Sequence, residues 1–294
     1  MWQTSSIPFL KGDKPLVMAH RGNSADVPEN TAEAFEDAAS IRGVDVIESD
    51  VYFTADGEFV FFHDPKLDRT TDGHGKLEKR TLAELKALDA GFRFELPDGS
   101  HPFRGKGFRI QALEEILPRF SAMRFNLDIK SRNIDAPAAF ARKLDDLGVG
   151  DRVLVASFWK SQIVRFRAVS DLPTSASTME MFSYHRKVGS WLKKHSGGEG
   201  LAKALADASQ EGLFGNRLPF VALQIPERIK PLGPTVIKGP PFVALAHAFS
   251  LAVHVWTIDE PADMNRLLDW GIDGIFTNAP SILVNVMKER GYSL

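Results

Sequence analysis

Residues 16–51 read LVMAHRGNSADVPENTAEAFEDAASIRGVDVIESDV, and this stretch decides the fold. It opens on a short apolar run, Leu16–Ala19, that ends at the polar pair His20 and Arg21. A helical pattern follows over Asn30–Arg42, with Ala34, Phe35, Ala38 and Ile41 on one face. Asn30 or Thr31 can cap its start, and Gly43 can stop it. Val44–Val51 then returns to a buried-strand pattern. A strand, a helical crossover and a second strand make a unit whose strands pair in parallel.

The same alternation fills most of the chain. Glu58–Phe62 is a short further strand just before His63. Residues 64–109 break the rhythm, being rich in Gly, Asp, Thr and Arg, with one clear helix at Thr81–Leu88; they read as an insertion on the frame. Helices are then expected at Leu113–Phe120, Ala136–Leu147, Ser161–Val169, Phe242–Phe249, Ala262–Trp270 and Ser281–Arg290. Between them lie strands at Arg124–Ile129, Arg152–Ala156, Pro173–Ser177, Phe220–Ile225, Ala252–Ile258 and Gly274–Thr277. Residues 180–218 form a second excursion, mostly helical and broken at His195-Ser196-Gly197-Gly198. About eight strands alternating with helices imply an α/β fold, a (β/α)8 TIM barrel with a small insertion after strand two. An open doubly wound sheet is the structural alternative. The first strand is not followed by G-x-G-x-x-G, which argues against its dinucleotide-binding form.

The bulk numbers agree with one barrel domain over residues 1–294, since such barrels often run to about 250 residues. The chain has no cysteine, so disulfides, zinc–cysteine sites and thiol nucleophiles are excluded. A formal net charge of -2 offers no basic field for nucleic acid. The start, MWQTSSIPFLKGDKPLVMAHRG, lacks the basic-then-apolar pattern of a signal peptide. No run of about 20 apolar residues is present to span a membrane. A cytoplasmic protein is expected.

Barrel enzymes carry their reactive groups at the C-terminal ends of the strands. Here those ends are His20-Arg21, Glu48-Ser49-Asp50, Asp128-Ile129-Lys130, Ser157, Ser175, Gln224, Trp256 and Asn278. Residues two apart on a strand share a face, so Glu48 points with Asp50 and Asp128 with Lys130. Three carboxylates gathered at a barrel mouth suit a hard divalent cation, Mg²⁺ or Ca²⁺. The flanking runs VDVIES and RFNLDI are too apolar for a solvated edge. His20 and His63 both end strands, so one imidazole can remove a proton while the other delivers one. The remaining histidines, His74, His101, His185, His195, His247 and His254, lack that setting and read as structural or surface groups. Arg21 and Lys130 are the nearest cations and point to a phosphorylated substrate. Trp256 at the mouth can pack against substrate carbon. Nothing adjacent to Ser157 marks it as a nucleophile.

These motifs, in this order, resemble the glycerophosphodiester phosphodiesterase family from about residue 16 to the C-terminus. The resemblance rests on His20-Arg21-Gly22, Pro28-Glu29-Asn30-Thr31 with Ala34-Phe35, and Glu48-Ser49-Asp50. It continues through His63-Asp64, Leu67-Asp68-Arg69-Thr70-Thr71, Val255-Trp256-Thr257 and Gly271-Ile272-Asp273-Gly274-Ile275-Phe276-Thr277. It implies a barrel with a small insertion after strand two and an acid/base pair in His20 and His63. It also implies one Mg²⁺ or Ca²⁺ on Glu48 and Asp50, and phosphate ligands in Arg21 and Lys130. Asp128 stands where the family usually carries Glu, and Asn278 where it usually carries Asp. Asp128 is kept as a metal ligand, directly or through water, while Asn278 is assigned no catalytic role. The expected reaction is metal-dependent hydrolysis of a small glycerophosphodiester to glycerol 3-phosphate and an alcohol. The first alternative is a lysophospholipase D-like hydrolysis of lysophospholipids, with Met179, Met181, Phe182, Trp191 and Leu192 lining an apolar groove. The second is a barrel that binds a phosphate ligand without catalysis.

Overall fold

The computed structural model describes residues 7–195, 213, 218–227, 237 and 239–294. β1 (Leu16–His20) and β2 (Val46–Phe53) pair in parallel, with His20 opposite Glu48. The helix between them, α1 (Ala32–Ser40), starts two residues later than its pattern predicts. Thr31 is extended and its hydroxyl accepts from the Ala34 N–H at 3.2 Å, while Asn30 takes a left-handed φ of 60°. A cap of this kind satisfies one of the free N–H groups of the first turn. Phe35 on the inner face of α1 is fully buried, edge-on to Phe61, Phe120 and Phe125.

The other strands are β3 (Phe59–Phe61), β4 (Arg124–Ile129), β5 (Val153–Ala156), β6 (Ala222–Pro226), β7 (Ala252–Trp256) and β8 (Gly274–Thr277). All but β3 lie in one parallel sheet in the order β5-β4-β2-β1-β8-β7-β6. The gap between β5 and β6 is closed by Thr174 and Ser175, which bridge in parallel to Val155 and Ala222. Ser175 N donates to Val155 O at 3.0 Å, and Ala176 N to Ala222 O at 2.9 Å. That short segment is the expected strand at 173–177, and with it eight parallel strands close the barrel. β3 stands outside the ring and pairs antiparallel with β2.

The helices after α1 are α2 (Leu82–Lys86), α3 (Leu113–Arg119), α4 (Ala136–Asp146), α5 (Lys160–Arg167), α6 (Thr178–His195), α7 (Pro240–Ala248), α8 (Pro261–Asp269) and α9 (Pro280–Glu289). Several begin one or two residues before their patterns predict, because Pro at the first helical turn has a pre-set φ and needs no N–H partner there. Among the described residues, no helix is long and apolar enough to cross a membrane. The insertion packs Leu67, Leu77, Leu85, Phe108 and Ile110 into a small core against Tyr52, Val60 and Phe62. Of the excursion at 180–218, α6 carries the first part. Residues 196–212 and 214–217, including the break at Ser196-Gly197-Gly198, lie outside the described residues.

The barrel interior is layered. Leu16, Met18, Val46, Leu154, Ala222 and Phe276 form an apolar floor, joined by Ile7 and Phe9. Two residues above Met18 and Val46 stand His20 and Glu48, and with Asn126, Asp50 and Asp128 they line the cavity above the floor. The alternation that builds the core therefore also aims the polar groups.

Candidate active site

The registry of three strands sets the geometry. His20 lies opposite Glu48, Glu48 opposite Asn126, and Asp50 opposite Asp128. All eight residues expected at the site, His20, Arg21, Glu48, Asp50, His63, Asp128, Lys130 and Trp256, line one cavity of about 420 Å³. Glu48, Asp50 and Asp128 are each less than a tenth exposed, so they do not lie on a solvated face.

The cations are interleaved with these carboxylates. Lys130 Nζ sits 2.7 Å from Asp128 Oδ2 and 3.0 Å from Asp50 Oδ1. Arg21 Nη1 pairs with Glu29 Oε1 at 2.9 Å, and Arg21 Nε lies 3.3 Å from Asp50 Oδ2. Burial works against the charged form of Asp50, yet Lys130 and Arg21 hold its carboxyl well below the usual range. Glu48 goes the other way: burial and the neighbouring Asp50 charge push it well above the usual carboxylate value. Burial also raises Asp128. Burial opposes the charge on Lys130, but Asp128 and Asp50 keep it firmly protonated.

The two imidazoles have different supports. His63 Nδ1 is 2.6 Å from Asp64 Oδ1. Asp64 in turn pairs with Arg69, and Arg69 forks onto both oxygens of Glu29 at 2.7 and 2.8 Å. An ionic chain thus runs from His63 through the insertion to Glu29 and Arg21. His20 is more enclosed, with Nδ1 2.7 Å from Asn278 Oδ1 and Nε2 3.8 Å from Glu48 Oε2. Burial, with the Arg21 guanidinium beside it, pushes His20 down to about 4.

One wall of the cavity is apolar. Phe158 lies 5.5 Å from the Trp256 ring, and Met181 and Phe182 of α6 continue that wall. Lys130 Nζ is 4.4 Å from the Phe158 ring centre, a cation–π contact. Of the groove residues expected on the second excursion, Met181 and Phe182 line the cavity, Met179 is exposed, Trp191 is buried in the core, and the Leu192 side chain lies outside the described residues.

Two residues passed over in the sequence matter here. Glu29 anchors both Arg21 and Arg69; its signal was its place in the Pro28-Glu29-Asn30-Thr31 motif ahead of the α1 cap. Asn278, given no catalytic role, is the hydrogen-bond partner of His20, and nothing local marks a pairing across 258 positions. Ser157 donates to the Ile129 carbonyl at 2.8 Å, which fits its reading as no nucleophile. His254 is fully buried in the barrel interior, in keeping with a structural histidine, whereas the His195 side chain lies outside the described residues.

Comparison with known proteins gives a consistent picture. The family model described as the Glycerophosphoryl diester phosphodiesterase family matches residues 20–282. A glycerophosphodiester phosphodiesterase of Bacillus subtilis is 32% identical over 95% of this chain and 89% of its own length. One from Caldanaerobacter subterraneus is 31% identical over 95% of this chain and 100% of its own. Among solved structures, a putative glycerophosphoryl diester phosphodiesterase of Silicibacter pomeroyi superposes with a TM-score of 0.71 at 24% identity, covering 100% of this chain and 99% of its own. An Oleispira antarctica phosphodiesterase in complex with the product sn-glycerol-3-phosphate gives 0.68 at 24% identity, covering 94% and 97%. At that identity the two structures speak for the shared fold.

Proposed function

The chain belongs to the glycerophosphoryl diester phosphodiesterase family, and from that premise we propose that it hydrolyses small glycerophosphodiesters to glycerol 3-phosphate and an alcohol. The observation that carries this reading is one cavity holding two strand-end histidines beside two cations and three buried carboxylates. His20 and His63 are the acid/base pair. One takes the proton from the attacking water, or from the glycerol hydroxyl, and the other protonates the departing alkoxide. Arg21 and Lys130 neutralise the phosphate. Both are partly buried and held charged by carboxylates, so an entering phosphate meets cations already in place. Trp256 packs against substrate carbon.

A divalent cation, Mg²⁺ or Ca²⁺, belongs to the same reading. The donors suit it, being all hard oxygens, and Asp50 Oδ2 and Asp128 Oδ1 are buried without a hydrogen-bond partner. Against that, among the described residues no three such groups converge closely enough to hold an ion, since Lys130 stands between Asp50 and Asp128. Glu48 and Asp50 would hold the cation, with the Asp128 carboxylate beside Asp50 as a further oxygen donor. When bound, the ion polarises the phosphoryl oxygen.

A second reading, hydrolysis of lysophospholipids, is favoured by the apolar wall of Phe158, Met181 and Phe182. Metal-supplemented assays on glycerophosphocholine and lysophosphatidylcholine separate the two. Faster release of alcohol from glycerophosphocholine supports the first reading, and a strong preference for the acyl-bearing substrate replaces it with the second. Turnover of neither sinks both.

A further inference from the structure

Which nitrogen of His20 carries its proton is fixed outside the cavity. The Asp259 carboxylate, on the loop after β7, accepts from Thr277 Oγ1 at 2.9 Å, from the Asn278 backbone N at 2.8 Å and from Asn278 Nδ2 at 2.8 Å. An ionised carboxylate can only accept, so the Asn278 amide must turn its NH₂ to Asp259 and its carbonyl oxygen to His20. That oxygen also only accepts, and it lies 2.7 Å from His20 Nδ1. The Ser24 hydroxyl lies 3.0 Å from the same oxygen, but its single hydrogen is shared with the His20 backbone carbonyl at 2.7 Å, so the amide orientation rests on Asp259. Nδ1 therefore carries the proton. In a neutral imidazole the other nitrogen is then bare, and here that is Nε2, which lies 3.8 Å from Glu48 Oε2.

We propose that Asp259 and Asn278 are positioning residues for the hydrolysis: they lock His20 in the Nδ1–H tautomer, so that its Nε2 lone pair faces the cavity as a proton acceptor. The chain Asp259–Asn278–His20 follows the logic of a base oriented by a third group. It differs in placing a neutral amide, rather than a carboxylate, directly against the ring. The carboxylate acts one step further back by fixing which way the amide points. The proposal rests on His20 being a proton-transfer residue, as in the function proposed above.

The experiment is nitrogen NMR on protein carrying isotope-labelled histidine, with His20→Gln used to assign the His20 signal. The expected wild-type spectrum has the proton on Nδ1 and an unprotonated Nε2. In Asp259→Asn the Asn278 amide is free to turn, so the Nε2–H tautomer becomes populated. Its kcat is expected to fall by about tenfold or more, as when the orienting residue of a catalytic triad no longer fixes the histidine tautomer, with KM within about twofold of wild type. The exchanged pair Asp259→Asn with Asn278→Asp again presents His20 with an oxygen that only accepts. It is expected to restore Nδ1–H and most of kcat, which a merely structural role would not produce. A wild-type His20 protonated on Nε2 overturns the proposal, as does an Asp259→Asn variant with tautomer and kcat both unchanged. Should Asp259→Asn fail to fold, the wild-type spectrum still decides. Full activity in His20→Gln would sink the proton-transfer role itself while leaving the tautomer measurement intact, so the two failures are distinguishable.

Discussion

The Lys130 ammonium lies 2.7 Å from Asp128 Oδ2, although the two residues are only two positions apart at the end of β4. Strand alternation puts both on the interior face, and Asp50 of the neighbouring strand completes the contact at 3.0 Å. Lys130→Met is expected to lower kcat/KM by about 10²–10³, by loss of a preset phosphate partner. The same change leaves two buried carboxylates facing each other, so the fold should lose about 3–5 kcal/mol. Steady-state kinetics together with a denaturant titration read both effects.

Gly22 follows His20 and Arg21 with φ of 85°, and a Cβ there would stand 2.6 Å from the Ala34 carbonyl. Gly22→Ala must move backbone, because the obstruction is not the tip of a flexible side chain. A cost of roughly 1–3 kcal/mol is expected from the left-handed backbone alone. Since Gly22 lies directly after His20 and Arg21, activity should fall further than unfolding accounts for. Comparing turnover at full folding with the denaturation midpoint separates the two losses.

His254 is buried on the barrel interior face of β7, and burial lowers it from 6.5 to about 4. The folded state keeps this ring neutral between those values while the unfolded chain takes up a proton. Stability is thus intact above about pH 6.5 and is lost as the pH falls toward about 4, by an amount on the order of 3 kcal/mol. His20 adds a slope of the same sign. Denaturant titrations across that range should show a shallower slope in His254→Gln than in wild type; an unchanged slope would remove His254 from the account.

Dialysis against a chelator is expected to abolish hydrolysis, and Mg²⁺ or Ca²⁺ to restore it. Full turnover by thoroughly chelated protein would leave Glu48, Asp50 and Asp128 without a metal to hold.

Much of this was legible in the sequence because barrel strands carry two signals at once. Apolar runs such as Leu16–Ala19 and Arg124–Ile129 show where a strand is buried, and the polar residue ending each run shows where it opens. Even the two-residue strand at Thr174–Ser175 fell inside an expected run, since it is flanked by a helix on either side. Contacts made by ring closure were not legible. His20 meets Asn278 only because β8 returns to β1. Arg69 meets Glu29 only because the insertion folds back over the mouth. The position of Lys130 between two carboxylates was hidden for a similar reason: same-face pointing was readable, but not which charge stands between which.

His20 and His63 are proposed to move protons in the cleavage of a glycerophosphodiester. The most direct test is release of glycerol 3-phosphate from glycerophosphocholine by wild type, His20→Ala, His63→Ala and the double variant, each first shown to be folded. Wild type should release the product, and each single variant should lose about 10²–10⁴ in turnover. Full activity in the double variant would contradict the claim.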